Sequence, residues 1–407
     1  LKDIATANYR SQAKVSAIPE IPSIIKYMGS KKPILNFIVS NIEEINNNDL
    51  PVCDLFSGSC SISAALRKKF DFISNDIQEY SSILGQTYFS DLSVYDFSEI
   101  EKKIELVVRD HVAYFKNAYS KYFYDYTTVK DLNEYQKIEL SQRQLINKSF
   151  EVDYHLFVKH YSGTYWSFEQ CVWIDSLRKT AEEFKGEKIY FAILSSIMYA
   201  MSYSTQSTGH FAQYRDGNSV EAMHNIIIYR NKKIYELFNR KLKELVSSLD
   251  NHLKTITATT LSFKKCLKTL SIGSTVYADP PYAPVHYSRF YHVLETLVKY
   301  DYPDLEHKGR YRGDRHQSPF SQKSNALAAF RELYQGVLDT KSQLLLSYSG
   351  SGVVSIDKII SLAKEYFNDG YVLEVKEVKH KHSTMGRFED QARDVIEYLI
   401  IARFKNG

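Results

Sequence analysis

The sequence predicts a doubly wound α/β domain interrupted by a helical insertion. Three observations carry that prediction. Strand–turn–helix patterns occur near the start, at residues 52–66, and return late, with strands at 275–278 and 342–348. Between about residues 90 and 250 the apolar period is mainly helical. The strand ends also carry small and polar residues, where ligands bind in an open parallel sheet.

A chain of 407 residues exceeds one typical domain. The pattern divides it into a polar arm (1–22), an α/β domain in two pieces (23–98 and 255–407) and a helical insertion (99–254). With 44% hydrophobic and 25% charged residues, the composition is that of an ordinary globular protein and excludes extended disorder. A formal charge of +4 permits nucleic-acid binding without requiring it, so any basic surface must be local. The 32 tyrosines suit wet interfaces and base stacking as well as cores. Cys53, Cys60, Cys171 and Cys266 form no Cys-x-x-Cys pair, so neither a disulfide framework nor a zinc site is expected, and a reducing compartment is. No signal peptide or membrane span is expected, because the longest apolar run, around 190–201, is too short and too polar.

Along the chain, Tyr27-Met28-Gly29-Ser30-Lys31-Lys32-Pro33 leads into an amphipathic helix to about Ile45, with Pro33 in its first turn. The helix start beside Tyr27 and Lys31 suits a carboxylate or other anion. Its spacing is not that of a phosphate-binding P-loop. Val52-Cys53-Asp54-Leu55-Phe56-Ser57-Gly58-Ser59-Cys60 then reads as a strand and a small-residue turn. A second strand, at 70–74, ends at Asn75-Asp76, where an acid is placed to hold ribose hydroxyls.

In the insertion, aromatic residues from Tyr114 to Tyr126 alternate with Lys116, Lys121 and Lys130. At helical spacing this is a core stripe with a solvated face, or else a basic-aromatic nucleic-acid surface. Helices are predicted at 168–184, 188–203 and 232–249. After the second comes a polar loop, 202–215, whose His210, Gln213 and Arg215 have the groups that read bases or phosphates. A plain connector is the alternative.

The strand pattern returns at 257–263 and 275–278. The latter runs into Asp279-Pro280-Pro281-Tyr282. Each proline fixes its own φ at about −65° and removes a donor. Each also pushes the residue before it towards extended geometry. The corner holds a carboxylate, backbone carbonyls and a flat ring, which suits gripping a planar ring that carries an amino group. A plain strand-ending turn is the alternative. Arg310, Arg312 and Arg315 then lie in a cationic, glycine-containing loop suited to phosphate. Residues 371–378 and 395–404 are expected to pair as antiparallel terminal strands.

Taken together, these motifs resemble the adenine-specific DNA methyltransferases that use S-adenosylmethionine, in the group ordered cofactor motif, target-recognition region, catalytic motif. Asp279 to Tyr282 matches the family's catalytic Asp-Pro-Pro-Tyr. Phe56-Ser57-Gly58-Ser59-Cys60 matches its Phe-x-Gly-x-Gly, with Cys60 in place of the last glycine. Tyr27, Gly29 and Lys31 match its amino-terminal cofactor segment, Asp76 its ribose-binding acid, and Phe263 an adenine-contacting segment from which the usual acid is absent. Residues 287–292 resemble the helix over its active site.

The resemblance implies a Rossmann-like methyltransferase sheet. It implies S-adenosylmethionine held by Tyr27, Lys31, Phe56, Ser57, Gly58, Asp76, Phe263 and Asp279, and catalysis by Asp279, Pro280 and Tyr282. Double-stranded DNA is the implied substrate and a cognate restriction nuclease the implied partner, with no metal, no membrane and a cytoplasmic, nucleoid-associated setting. The implied reaction is direct methyl transfer to the adenine N6 amine of a flipped-out base. Adenine in RNA and the cytosine exocyclic amine remain as acceptors, and a catalytically silent nucleic-acid-binding subunit as a reading of another class.

Overall fold

In the computed structural model of the chain, the described residues are 7–8, 21–46, 50–205, 210–250, 254–350, 352–382 and 393–405. The predicted arm therefore lies almost wholly outside the described residues. The strands are β1 (Ala7–Asn8), β2 (Val52–Asp54), β3 (Phe72–Asn75), β4 (Ile256–Thr259), β5 (Thr275–Ala278), β6 (Leu305–Glu306), β7 (Tyr311–Arg312), β8 (Gln343–Ser349), β9 (Tyr371–His382) and β10 (Arg393–Phe404). The helices of the first part are α1 (Leu35–Ile45), α2 (Ser61–Leu66) and α3 (Glu79–Phe89). The insertion carries α4 (Phe97–Ala118), α5 (Leu132–Arg143), α6 (Leu156–Tyr161), α7 (Phe168–Ala181), α8 (Ile189–Ser204), α9 (Val220–Arg230) and α10 (Ile234–Ser248). The last part adds α11 (Phe263–Thr269), α12 (His292–Lys299), α13 (Ala326–Asp339) and α14 (Ile356–Tyr366).

Among the described residues, one sheet runs in the order β1-β9-β10-β8-β5-β2-β3-β4. Neighbours from β8 to β4 are parallel, while β10 is antiparallel to both β8 and β9. The sheet is thus α/β with antiparallel terminal strands, as the sequence predicts. The central strands β2, β5 and β8 are buried throughout, which explains their near-continuous apolar runs.

Alternation along β8 separates two cores. Leu344 and Leu346 pack with Cys266, Phe330 and Leu362 of α11, α13 and α14. Leu345 joins the larger cluster on the other face, with Ile38, Leu84 and Leu294. That larger cluster continues without a break into the insertion, through Phe115, Val172, Ile193, Met198 and Phe238. The aromatic stripe on α4 is therefore in part core: Phe115 is fully buried. Helix α8 is buried on nearly every side, as an apolar helix inside a large core must be. Helices α5 and α9 have a separate small core of Tyr126, Tyr135, Ile138, Met223 and Ile226.

One predicted element differs. The strand expected at 257–263 ends at Thr259, and Phe263 opens α11 instead. Ser262 is the reason, because its side chain accepts from the Lys265 amide and caps the helix.

Beside the small core, the Arg230 guanidinium meets the Glu139 carboxylate at 2.6 and 3.1 Å, with both side chains inside. Replacing Arg230 with Met would leave Glu139 buried and uncompensated. The expected loss is roughly 3–5 kcal/mol, read as a lower urea midpoint, with a smaller loss in the Arg230→Met/Glu139→Gln double variant.

Candidate active site

The site lies at the carboxyl ends of β2, β3 and β5. Register sets this: Asp54 pairs with Tyr277 and with Ser74, so the strands end level. Asn75 ties the ends together. Its amide donates to the Leu55 and Leu261 carbonyls at 3.1 and 3.0 Å, and its oxygen accepts from Thr259 Oγ1 and the Leu261 amide. A cavity of about 420 Å³ opens above this edge.

The turn after β2 forms one wall. Gly58 has φ +49°, and a Cβ there would lie 2.4 Å from the Tyr27 hydroxyl. Only glycine lets the Tyr27 side chain close onto the turn. Cys60, where the family has glycine, also takes a left-handed conformation, at φ 57° and ψ 26°. Its buried thiol donates to the Ser81 carbonyl at 3.2 Å, so the turn keeps a glycine-like path with a side chain in place. Ser57 Oγ donates to the Asp54 carbonyl at 3.0 Å and closes the turn from below.

Two acids line this part of the cavity. Asp76 accepts from the Gly58 and Gln78 amides, both at 2.9 Å. Burial raises its carboxyl to about 6, and the amide donors oppose that rise. Asp54 ends β2 and is buried; burial, then the charges of Asp279 and Asp76, push its carboxyl well above the usual range. Ser63 donates to its Oδ2 at 3.4 Å, while among the described residues its Oδ1 has no hydrogen-bond partner. Asp54 was not among the site residues expected from sequence, although an acid closing the first strand is a readable signal.

The opposite wall is the Asp279–Tyr282 corner. Pro280 is buried, and among the described residues no donor reaches its carbonyl. The Tyr282 carbonyl accepts from the Val353 amide at 2.9 Å, and its ring meets Tyr348 edge-on at 5.6 Å. Lys31 Nζ lies 3.1 Å from Asp279 Oδ1 and 2.6 Å from Glu397 Oε1, and 5.7 Å from the centre of the Tyr282 ring. Burial opposes the Lys31 charge, but Asp279 and Glu397 hold its ammonium well above the usual value. Burial raises the Asp279 carboxyl, Lys31 lowers it and Glu397 raises it again. Glu397, on β10, carried no sequence signal.

Aromatic rings close both ends. Tyr27 stacks on Tyr291 at 4.8 Å, and the Tyr291 hydroxyl accepts from the Met28 amide at 2.6 Å. Phe263 lies 6.0 Å from Phe56 and 5.1 Å from Phe320. Residues 287–290 form a short 3₁₀ turn before α12. Glu295 of α12 accepts from the Glu79 and Tyr80 amides at 3.2 and 3.1 Å, which pins this segment to the start of α3.

The loop residues separate into three groups. Gln206, Ser207, Thr208 and Gly209 lie outside the described residues. The rest of that loop is stitched to the segment after the corner: Phe211 N donates to the Phe290 carbonyl at 2.8 Å, and the Tyr311 hydroxyl bonds the Ala212 carbonyl. His210 packs edge-on against Phe290, Gln213 is exposed and Arg215 is half-buried.

Arg310 and Arg315 are also half-buried; Arg310 donates to Asn147 at 3.3 Å, and Arg315 lies 4.4 Å over the Tyr311 ring. Arg312 departs from the expectation. It is 2% exposed and closed on Asp301 (2.6 and 2.7 Å) and Asp314 (2.9 Å), so its donors serve carboxylates of its own chain rather than phosphate. A cluster not foreseen stands nearby: Arg143 and Lys308 lie 5.0 and 5.4 Å over the Tyr214 ring, and Asp216 pairs with both cations.

Residues 27–345 match the D12 class N6 adenine-specific DNA methyltransferase family model. The chain belongs to that family. Among relatives of this kind, it is 24% identical to the modification methylase LlaI of Lactococcus lactis subsp. lactis, over 92% of this chain and 54% of that protein. It is also 24% identical to the type II methyltransferase M.FokI of Planomicrobium okeanokoites, over 92% of this chain and 52% of that protein. With the type II methyltransferase M.NlaIII of Neisseria lactamica, identity is 21% over 93% of this chain and 98% of that protein. The chain thus spans about half the length of the first two and nearly all of the third. Among the described residues no helix is long and apolar enough to cross a membrane, and no acid, histidine and cysteine group fits a metal.

The residues fit the family's methyl donor. S-adenosylmethionine is a cation with an ammonium group, and the cavity presents Asp54, Asp76 and Asp279 with Lys31 already paired. The orphaned Asp54 Oδ1 calls for a donor of that kind.

Two outcomes are expected in calorimetric titrations with S-adenosylmethionine. Gly58→Ala forces a Cβ against Tyr27 at positive φ, and affinity should fall at least tenfold, by about 1.4 kcal/mol or more, with the fold retained. Asp76 has a raised pKa, so its anion is lost as pH falls through about 6. Binding should therefore weaken below that pH in the parent and lose this dependence in Asp76→Asn.

Proposed function

We propose that this chain methylates the N6 amine of adenine within double-stranded DNA, taking the base out of the helix to do so. One observation carries the reading: the Asp279-Pro280-Pro281-Tyr282 corner opens into the same cavity as Phe56, Ser57, Asp54 and Asp76. Tyr27, Phe56, Ser57, Gly58, Asp76 and Phe263 would hold S-adenosylmethionine, with Asp54 at its ammonium group; Lys31 and Asp279, also expected at the cofactor, line the same cavity as an ion pair. When bound, it supplies an electrophilic methyl group on a sulfonium.

The acceptor amine is a poor nucleophile, because its lone pair is delocalised into the ring. Asp279 and the Pro280 carbonyl would each accept one of its hydrogens and favour a tetrahedral nitrogen with a free lone pair. Lys31 already occupies Asp279 Oδ1, which leaves Oδ2 for the substrate. Tyr282 would stack on the ring and hold the amine in line, and such positioning supplies much of the rate. Flipping costs a few kcal/mol, of which stacking offsets roughly 1–3 kcal/mol. Asp279 need not be a strong base, since the proton can leave after the new C–N bond forms.

Gln213, Arg215, Arg310 and Arg315, with His210 beside them, are the proposed duplex contacts, and residues 99–254 the proposed target-recognition region. Lys308 and Arg143 add positive charge at the same place. The relatives are named modification methylases and type II methyltransferases, which supports a role beside a restriction nuclease of the same specificity.

The test is transfer of radiolabelled methyl groups to duplex DNA, to RNA and without acceptor, followed by identification of the modified base. N6-methyladenine in duplex DNA is expected; label in RNA or on cytosine, or none at all, overturns the reading. Asp279→Ala should abolish transfer with cofactor binding kept in part. Tyr282→Ala should lower the affinity for DNA carrying a flipped base more than the affinity for cofactor.

A further inference from the structure

Lys31 and Glu397 are 366 residues apart in sequence, and their side chains meet at 2.6 Å beneath the corner. Glu397 is 2% exposed and Lys31 8% exposed. A lysine side chain on four methylenes does not keep one geometry against a single carboxylate at a cavity edge. Here it is held from both sides, by Asp279 at 3.1 Å and by Glu397 at 2.6 Å. Glu397 is itself fixed: Ser347 Oγ donates to its Oε1 at 2.6 Å, and His380 Nε2 lies 3.8 Å from its Oε2. The strands β8, β9 and β10 thus together brace one ammonium against the catalytic acid.

We propose that Glu397 is a positioning residue for Asp279: by gripping Lys31 from the β10 side, it fixes which Asp279 oxygen is covered by the ammonium and which is left for the substrate amine. The proposal deepens the adenine-methylation reading and rests on it for its kinetic consequence. Two carboxylates share one ammonium, so the unit carries a net negative charge where the electrophilic donor would sit. The groups facing it are Lys31 from the amino-terminal segment, Asp54 from β2 and Tyr277 from β5. Tyr282 and Tyr287 face it from the corner and the segment after it, His380 from β9 and Glu397 from β10. Of these, Lys31 holds Asp279 in its charged form and Glu397 works against that form.

Removing the ammonium raises the Asp279 pKa, so its anion, and activity with it, is lost at a higher pH. Removing the Glu397 charge while keeping its shape lowers the Asp279 pKa, so the acidic limb moves down, even as the loosened Lys31 slows the plateau.

The experiment is single-turnover methylation of duplex DNA against pH for the parent, Lys31→Met and Glu397→Gln, with thermal unfolding as a control. For Lys31→Met the acidic limb should rise by about one pH unit or more. For Glu397→Gln it should fall below the parent's, with a plateau about 10- to 100-fold lower. Ser347→Ala, which removes only the Glu397 support, should lower the plateau to a lesser degree. Limbs that coincide, or that move in the same direction in both variants, overturn the proposal, as does a parental plateau in Glu397→Gln. If the parent methylates no nucleic acid, the functional reading fails by itself. The pH midpoint of the Asp279 carboxyl, followed by its side-chain carboxyl carbon resonance, then decides the proposal: midpoints in the order Lys31→Met above parent above Glu397→Gln support it, and coincident midpoints overturn it.

Discussion

A buried carboxylate stays charged only where a cation or aimed donors stand beside it. The carboxyl edge of this sheet gathers four acids, Asp54 and Glu397 buried and Asp76 and Asp279 half-buried. Each is handled differently. Asp76 is held by backbone amides, Asp279 and Glu397 share Lys31, and Asp54 has a long bond from Ser63 and the Phe56 amide but no cation. The edge is therefore short of positive charge, and it is short where a cationic ligand fits. Much of the surrounding structure serves to keep these acids level with one another, from the β2–β5 register to the Asn75 ties.

Topology delivers that arrangement. The glycine turn after β2 lies in the first part of the chain and the Asp-Pro-Pro-Tyr corner follows the insertion, yet β2 and β5 are neighbours. The insertion leaves the sheet after α3 and returns at β4, and α4, α6, α7, α8 and α10 share the core of one sheet face. Hydrogen bonds at Phe211 tie the loop after α8 to the segment that follows the corner, so that loop and the corner's own segment are joined.

Local chemistry was the readable part of the site. Asp279 to Tyr282 was legible because two prolines make the backbone nearly independent of context. Tyr27, Gly58 and Asp76 were legible because a helix start, a small-residue turn and an acid after the second strand are short-range patterns. The strand misread at 257–263 shows the same logic from the other side: its apolar residues fit a strand, but the Ser262 cap decided for a helix. Arg312 shows where such reading fails. An arginine in a glycine-containing loop looks free to meet phosphate, and nothing local says that Asp301 will fold back onto it, although Asp314 stood two residues away.

By itself the sequence determined the class of fold, the order of the motifs and the stiff corner with its carboxylate, carbonyl and ring. These depend on periodicity and on dihedral restrictions that act over a few residues. Only the tertiary structure decided that Lys31 lies between Asp279 and Glu397, that Asn75 ties the strand ends together, and that Arg312 turns inward while Arg310 and Arg315 stay at the surface. Those outcomes depend on which charges are buried together. Charge pairing in an interior acts through space, and no spacing along the chain records it.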